Sequence, residues 1–407
     1  MHPNLAQNTV VYHRLMLRRG FLAGLVPAGF LRAMARPQLK ITGLEVFVVK
    51  VNARGNWVFV RLRTDKGLTG LGEASHGLGT DESMRKALTE CFEFAGGQSP
   101  FDVEAYRGRA WQFARKGGRM AATAFSAIEQ AMWDLTGKAL GVPVYDLLGG
   151  RLREDLDVYA NINRATNDVR TPEAFAANAR LALEAGFRAL KAAPFDGFPS
   201  LKAPEPEIRK AADLGIACLE AIRRAAGPGV KLLVDCHSRF SPELAIEVAR
   251  RLEPVSLYWY EEPVAPARLE ETAAISKAIR QPVSGGEALF ATEGFRPLID
   301  SRAFAFVMPD VKHCGGILEG RRIAARAQAA NVAISPHNPS GPVATAASVQ
   351  LCAGMPNFAI LEHAWGEASW SKDLVVPPEE FPGGRLRVPT APGLGIELNL
   401  RTVAAHA

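Results

Sequence analysis

The run Leu232-Leu233-Val234-Asp235 is followed by Leu257-Tyr258-Trp259-Tyr260-Glu261 and then by Pro282-Val283-Ser284-Gly285-Gly286-Glu287, so three acids stand 26 positions apart, each closing a short apolar run. That interval is about one strand plus one helix. If the runs are successive parallel strands, all three acids emerge at one carboxyl end of the sheet, where α/β barrels place their chemistry. Three hard oxygen ligands meeting there make a divalent-cation site, with Mg²⁺ the expected ion.

Outward from this core the same rhythm continues. LDVYAN and ALKAAP precede it and FAFVMPD, VAISPH and FAILEH follow, giving eight short apolar runs separated by helical stretches between residues 151 and 374. Eight such units, with no phosphate-type GxGxxG after an early strand, favour a closed (β/α) barrel over an open doubly wound sheet. Residues 36–150 read differently. ITGLEVFVV, NWVFVRLRT and LTGLGEA alternate as strands around the turn Asp65-Lys66-Gly67, and Phe125, Ile128, Met132 and Leu135 then recur at helical spacing up to Gly141 and Pro143. This is an α+β cap, which residues 375–407 are expected to complete; residues 385–400, rich in Pro and Gly, should fold back on it.

Composition excludes several classes. With 407 residues, 48% hydrophobic and 22% charged, the chain is globular rather than disordered or fibrous. The net charge of +6 owes four positives to Arg14, Arg18, Arg19 and Arg32 in a leader without acids, and the remaining 44 basic against 42 acidic residues leave only +2. No nucleic-acid partner is expected. Five cysteines, at 91, 218, 236, 314 and 352, form no CxxC, so neither a disulfide framework nor a zinc site is indicated. Residues 1–35 read as a targeting segment: Arg18-Arg19, an apolar stretch over residues 22–31, and Ala33-Met34-Ala35 as a cleavage site. The arginine pair points to twin-arginine export to the periplasm, with a cytoplasmic enzyme bearing a tail as the alternative, and Met1 or Met16 as the start. The apolar stretch is too short for a permanent membrane span.

Further polar residues end the other runs: Lys191 on the second, His237 two past Asp235, Asp310 on the sixth, His337 on the seventh and Glu362 on the eighth. Period-2 geometry would point Asp235 and His237 the same way. Any one of these could be a helix cap or a structural histidine, but seven successive strand ends bearing acid–base or metal chemistry argue for a catalytic mouth.

VDCHSR, YEEP, SGGEALF, MPDVKHCGGI, SPHN and LEH, preceded by AFSAIEQAMWDLTGKALGVPVYDLLGG and followed by APGLGIELN, resemble the mandelate racemase subgroup of the enolase superfamily. The Asp-x-His of VDCH resembles its galactonate-dehydratase-like, acid-sugar-dehydratase branch. The resemblance implies a modified (β/α)7β TIM-like barrel under an α+β cap and Mg²⁺ on Asp235, Glu261 and Glu287, with Glu262 beside them. It also implies His337 as the base that removes the proton α to a carboxylate, Asp310 fixing its tautomer, and Glu362 contributing a hydrogen bond on the opposite side. The enediolate so formed needs a cation to meet its charge, which members of this superfamily meet with Mg²⁺ beside a Lys or His base.

Relatives with a second-strand base carry Lys-x-Lys, whereas this chain reads Lys191-Ala192-Ala193. With one base missing, dehydration to a 2-keto-3-deoxy sugar acid is favoured, Lys191 holding the substrate carboxylate and His237 protonating the departing β-hydroxyl. The alternatives are a cycloisomerase or epimerase sharing the first step, or an exported sugar-acid binding protein without catalysis. Loops at residues 51–57 and 75–81 would select the sugar, with Arg54, Trp57 and His76 as substrate contacts. The expected partner is an aldonate or aldarate, and a homo-oligomer is expected.

Overall fold

Eight parallel strands form the centre of the computed structural model, which describes residues 37–407 except 164, 165, 167 and 168. The leader reading at residues 1–35 lies outside the described residues. A three-stranded antiparallel sheet comes first, β1 (Ile41–Asn52), β2 (Gly55–Thr64) and β3 (Thr69–Glu73), followed by helices α1 (Asp81–Phe92), α2 (Val103–Lys116) and α3 (Gly118–Leu140). The barrel strands are β4 (Asp155–Asn161), β5 (Ala189–Ala192), β6 (Lys231–Asp235), β7 (Trp259–Glu261), β8 (Val283–Gly285), β9 (Phe306–Val307), β10 (Ala333–Ile334) and β11 (Leu361–His363). They pair in chain order from β4 to β10, and β11 returns to lie beside β4. Between β10 and β11 the ring is closed by a parallel bridge, Ile334 to Phe358, in which Ala359 N donates to Ile334 O at 2.8 Å. Every apolar run read as a barrel strand is one.

Period-2 alternation in β2 divides its side chains between two cores. Val58, Val60 and Leu62 pack with Ile41 and the helices α1–α3, whereas Trp57 and Phe59 join the barrel's apolar cluster. Both faces of the cap sheet are therefore buried. β3 lies so close to α3 that its glycines touch the helix backbone: a Cβ on Gly72 would sit 2.0 Å from Ala127 O and one on Gly70 2.3 Å from Ala131 O. The helix α3 ends where the sequence indicated, at Gly141 in the left-handed region (φ 71°), with Val142 N donating to Gly137 O at 3.0 Å.

Buried acids of the cap cap barrel helices. Glu73, at the end of β3, accepts from Gly341 N and Ala344 N, both at 2.8 Å, at the start of the helix Pro342–Ala353. Glu129 of α3 accepts from Ile317 N (2.8 Å) and Leu318 N (2.9 Å) at the start of the helix Gly316–Ala329. The C-terminal segment corrects one expectation. Arg385–Arg387 pairs antiparallel with β4 of the barrel, because its alternation Arg-Leu-Arg buries Leu386 and leaves both arginines outside. Only beyond it does the chain reach the cap, where Leu394 N donates to Asp134 Oδ1 of α3 at 2.7 Å and Lys50 N of β1 donates to His406 O at 2.7 Å.

Gly72→Ala should lower stability by about 1–3 kcal/mol or more, because neither the strand nor the helix backbone can yield as a side chain would. Gly108→Ala, in α2 with no atom within 4 Å of the added Cβ, should instead be neutral or stabilising by about 0.5–1 kcal/mol. Urea unfolding of the two variants checks this pair; equal midpoints would show slack between β3 and α3.

Candidate active site

The carboxyl ends of the barrel strands surround a cavity of about 140 Å³, lined by Lys191, Asp235, His237, Glu287, His337 and Glu362 from the barrel and by Arg54, His76 and Arg119 from the cap. Parallel register sets Asp235 directly beside Glu261 on β6 and β7. Glu287 follows β8 by two residues. The expected acids therefore converge, but they are not equivalent. Glu261 is fully buried and accepts from Lys191 Nζ at 3.1 Å and Trp259 Nε1 at 2.9 Å. Among the described residues, Asp235, His237 and Glu287 bring three potential ligand atoms within 4.8 Å of one another. Glu261 lies outside that group, its carboxylate engaged by Lys191 and Trp259.

Crowding shows in the acidities. Burial pushes Asp235 up, but His237 and Lys191 outweigh it and hold its carboxyl well below the usual range. Burial and the neighbouring Asp235 push Glu261 well above it. This is the pattern of like charges that cannot all ionise unaided. Glu262, beside them, is raised to about 8 by burial and by Glu287, and accepts from Gly286 N at 2.9 Å. Glu287 Oε2 is buried without a hydrogen-bond partner among the described residues, although it lies 3.0 Å from His337 Nε2. A crowded oxygen set with an orphaned carboxylate atom fits a hard divalent cation.

Lys191, 1% exposed, faces Glu261 (3.1 Å), Glu362 (3.4 Å) and Asp235 (3.5 Å), so its three donors are directed at carboxylates of the protein itself. Burial disfavours its charge, yet Glu261 and Glu362 outweigh burial and raise its pKa. Glu362 accepts from Asn161 Nδ2 (2.7 Å) and Asn338 N (2.9 Å). Burial raises its pKa, but Lys191 and His337 overcome that and the net direction is down.

The two histidines sit on opposite sides of the ring, on β6 and β10, and each has its own carboxylate. His337 Nδ1 is 2.8 Å from Asp310 Oδ2, which leaves Nε2 toward the cavity. Asp310 also accepts from Lys312 N and Lys312 Nζ, both at 2.8 Å. His237 Nδ1 contacts Asp196, and its Nε2 is 3.1 Å from Asp235 Oδ2. Its pKa is raised to about 12, chiefly by the Asp235 charge. The reason it faces Asp235 differs from the strand-period argument: β6 ends at Asp235, and a left-handed turn at His237 (φ 44°) and Ser238 (φ 59°) brings the ring back.

Of the cap residues, Arg54 in the β1–β2 turn and His76 line the cavity. Burial, with Lys312 and Arg54, lowers the His76 pKa to about 3, so its ring is neutral. Trp57 does not reach the cavity. It lies inside β2, opposite Val49, 2% exposed and edge-on to Trp370, because its place in the pleat points it into the barrel core. The cavity also holds residues that sequence reasoning did not single out: Asn161, Asn163, Asp196, Arg119, Lys312 and His313. The Asn-x-Asn closing the first run and the Lys-His pair just after Asp310 were the available signals.

Comparison with known proteins gives this geometry a family. Residues 41–149 match the family described as mandelate racemase / muconate lactonizing enzyme, N-terminal domain, and residues 174–403 match the family described as enolase C-terminal domain-like. Similar relatives include a D-xylonate dehydratase of Haloferax volcanii (31% identical, covering 89% of this chain and 88% of that one) and a D-galactonate dehydratase of Ralstonia nicotianae (32%, covering 89% and 92%). A solved mandelate racemase/muconate lactonizing enzyme from Sulfitobacter sp. superposes with a TM-score of 0.82 at 32% identity, covering 91% of this chain and 96% of that one. The chain belongs to the mandelate racemase / muconate lactonizing enzyme family of the enolase superfamily.

Proposed function

We propose that the protein is a Mg²⁺-dependent dehydratase that converts a sugar acid to its 2-keto-3-deoxy product. The observation that carries this reading is the placement of His337 and His237 on opposite sides of one cavity, each oriented by a carboxylate of its own. The named activities of its relatives, on galactonate, xylonate and gluconate, support the substrate class.

Asp235, Glu261 and Glu287 would hold the cation. Mg²⁺ prefers oxygen to imidazole, which favours the three carboxylates over His237 as ligands. Bound there, the cation would supply Lewis-acid stabilisation of charge on the substrate carboxylate. His337 Nε2 takes the proton from C2, and the electron pair left behind spreads into the substrate carboxylate before it enters a C2–C3 double bond as the C3–O bond breaks. His237 gives its proton to that oxygen, which departs as water. The resulting enol takes a proton at C3 and becomes the 2-keto acid. Glu362 and Asn161 accept and donate, respectively, at the cavity floor. Lys191 is the group that would turn to the substrate carboxylate once its own partners bind a cation.

An epimerase would need a second base on the opposite face. Ala193, fully buried, stands at the position where lysine-bearing relatives have one, which supports elimination over inversion. For localisation, we read Arg18-Arg19 and the apolar stretch after them as supporting export.

Three outcomes are expected. Excess EDTA should abolish turnover and Mg²⁺ restore it; full activity in the chelator would sink the metal assignment. His337→Asn should stop both product formation and exchange of the C2 proton with D₂O, a loss on the order of 10²–10⁴-fold, whereas His237→Asn should stop dehydration while exchange persists; unchanged dehydration in the second variant would make His237 structural. Lys191→Met should cost the metal-free protein about 3–5 kcal/mol, since it leaves buried carboxylates uncompensated. Thermal unfolding should then show Mg²⁺ stabilising that variant more than the wild type, and equal shifts would mean that lysine and cation answer different charges.

A further inference from the structure

One histidine on the cavity wall has no part in proton transfer. His313 follows Asp310 in the turn after β9, is 1% exposed and lines the cavity beside Lys312 and Arg119. Its Nδ1 lies 2.8 Å from Thr123 Oγ1. Thr123 in turn donates to the Arg119 carbonyl at 2.7 Å. A hydroxyl has one proton to give, so the proton in the Thr123–His313 bond belongs to Nδ1. A neutral imidazole protonated at Nδ1 keeps a lone pair on Nε2.

That Nε2 is buried and has no hydrogen-bond partner among the described residues. Asp310 Oδ2, 3.7 Å away, is beyond hydrogen-bond range and is itself an acceptor. Protonating the ring is opposed chiefly by burial, which with the charges of Lys312 and Arg119 prevails over the pull of Asp310. The neighbouring Lys312 and Arg119 can only donate. His313 therefore offers an acceptor on a wall of donors, and a buried acceptor left unpaired is costly.

We propose that His313 Nε2 accepts a hydrogen bond from a sugar hydroxyl that survives the reaction, making His313 a specificity-determining residue. The proposal rests on the sugar-acid reading for the identity of the donor. A hydroxyl can give a proton to Nε2 while accepting one from Arg119 or Lys312, which a methylene or a carboxylate cannot do.

Two measurements test it. In wild-type protein labelled with ¹⁵N-histidine, the shifts of the His313 ring nitrogens should report the Nδ1–H neutral tautomer; an Nε2–H tautomer or an imidazolium overturns the proposal whatever the activity. In a cycle of wild type and His313→Leu against the turned-over sugar acid and its monodeoxy analogues, His313→Leu should lower kcat/KM for the full substrate by about 10–10²-fold, as expected for losing a hydrogen bond to a buried acceptor. One deoxy position should show the same loss in wild type and no further loss in the variant, and His313→Gln, which keeps an acceptor, should recover part of it. Equal losses at every position would mean that His313 acts only through packing and overturn the proposal. A wild type that turns over no sugar acid would overturn the functional reading and the donor named here, with the tautomer still decided by the spectrum.

Discussion

Too many carboxylates occupy too little volume at the barrel mouth, and the rest of the site is arranged around that fact. Asp235, Glu261, Asp310 and Glu362 are all essentially buried, and the parallel ladder gives them no room to separate, since each is fixed at or just past a strand end. Lys191 answers three of them and Lys312 answers the fourth. Removing an ion from water costs several kcal/mol even after relaxation, so these pairs are weak evidence for stability. They are better understood as holding charges ready for a cation and a substrate anion that supply further compensation. The opposite directions of the Asp235 and Glu261 shifts mark where that compensation is incomplete.

The cap takes part in the same arrangement. Its acids Glu73 and Glu129 are spent on backbone N–H groups at the starts of two barrel helices, and both begin just after the segments bearing the site, Pro342 after His337 and Gly316 after Asp310. The approach of β3 to α3 through Gly70 and Gly72 sets the height of Glu73. A change deep in the cap can thus reach His337 through a short chain of hydrogen bonds without touching the substrate. The same helix α3 carries Thr123, which fixes the ring of His313.

What could be read from the chain follows from this geometry. Strand-end acids were legible because each closes an apolar run at a regular interval, and a closed parallel ring leaves one place for them to meet. Their partners were not. Thr123 and His313 are 190 positions apart, and no local pattern joins them. Asp196 meets His237 across 41 positions from the loop after β5. Trp57 looked like a loop residue because the turn lies close by; its pairing with Val49 extends the strand one pleat further and buries it. The Arg385–Arg387 strand was hidden among prolines and glycines, in a segment too short for its alternation to stand out.

The two histidines proposed as base and acid differ in the carboxylates that hold them rather than in the rings. Asp310 is shared between His337 Nδ1 and the Lys312 ammonium, both at 2.8 Å. Asp235 and Asp196 flank His237 from two sides, and although Arg170 binds Asp196 at 2.7 Å, the Asp235 field dominates and the ring keeps its proton. A base must arrive without a proton and an acid with one. Lysines stand beside the aspartates of both rings, Lys312 2.8 Å from Asp310 and Lys191 3.5 Å from Asp235, so what sets the proposed acid apart is the second aspartate, Asp196, at its Nδ1.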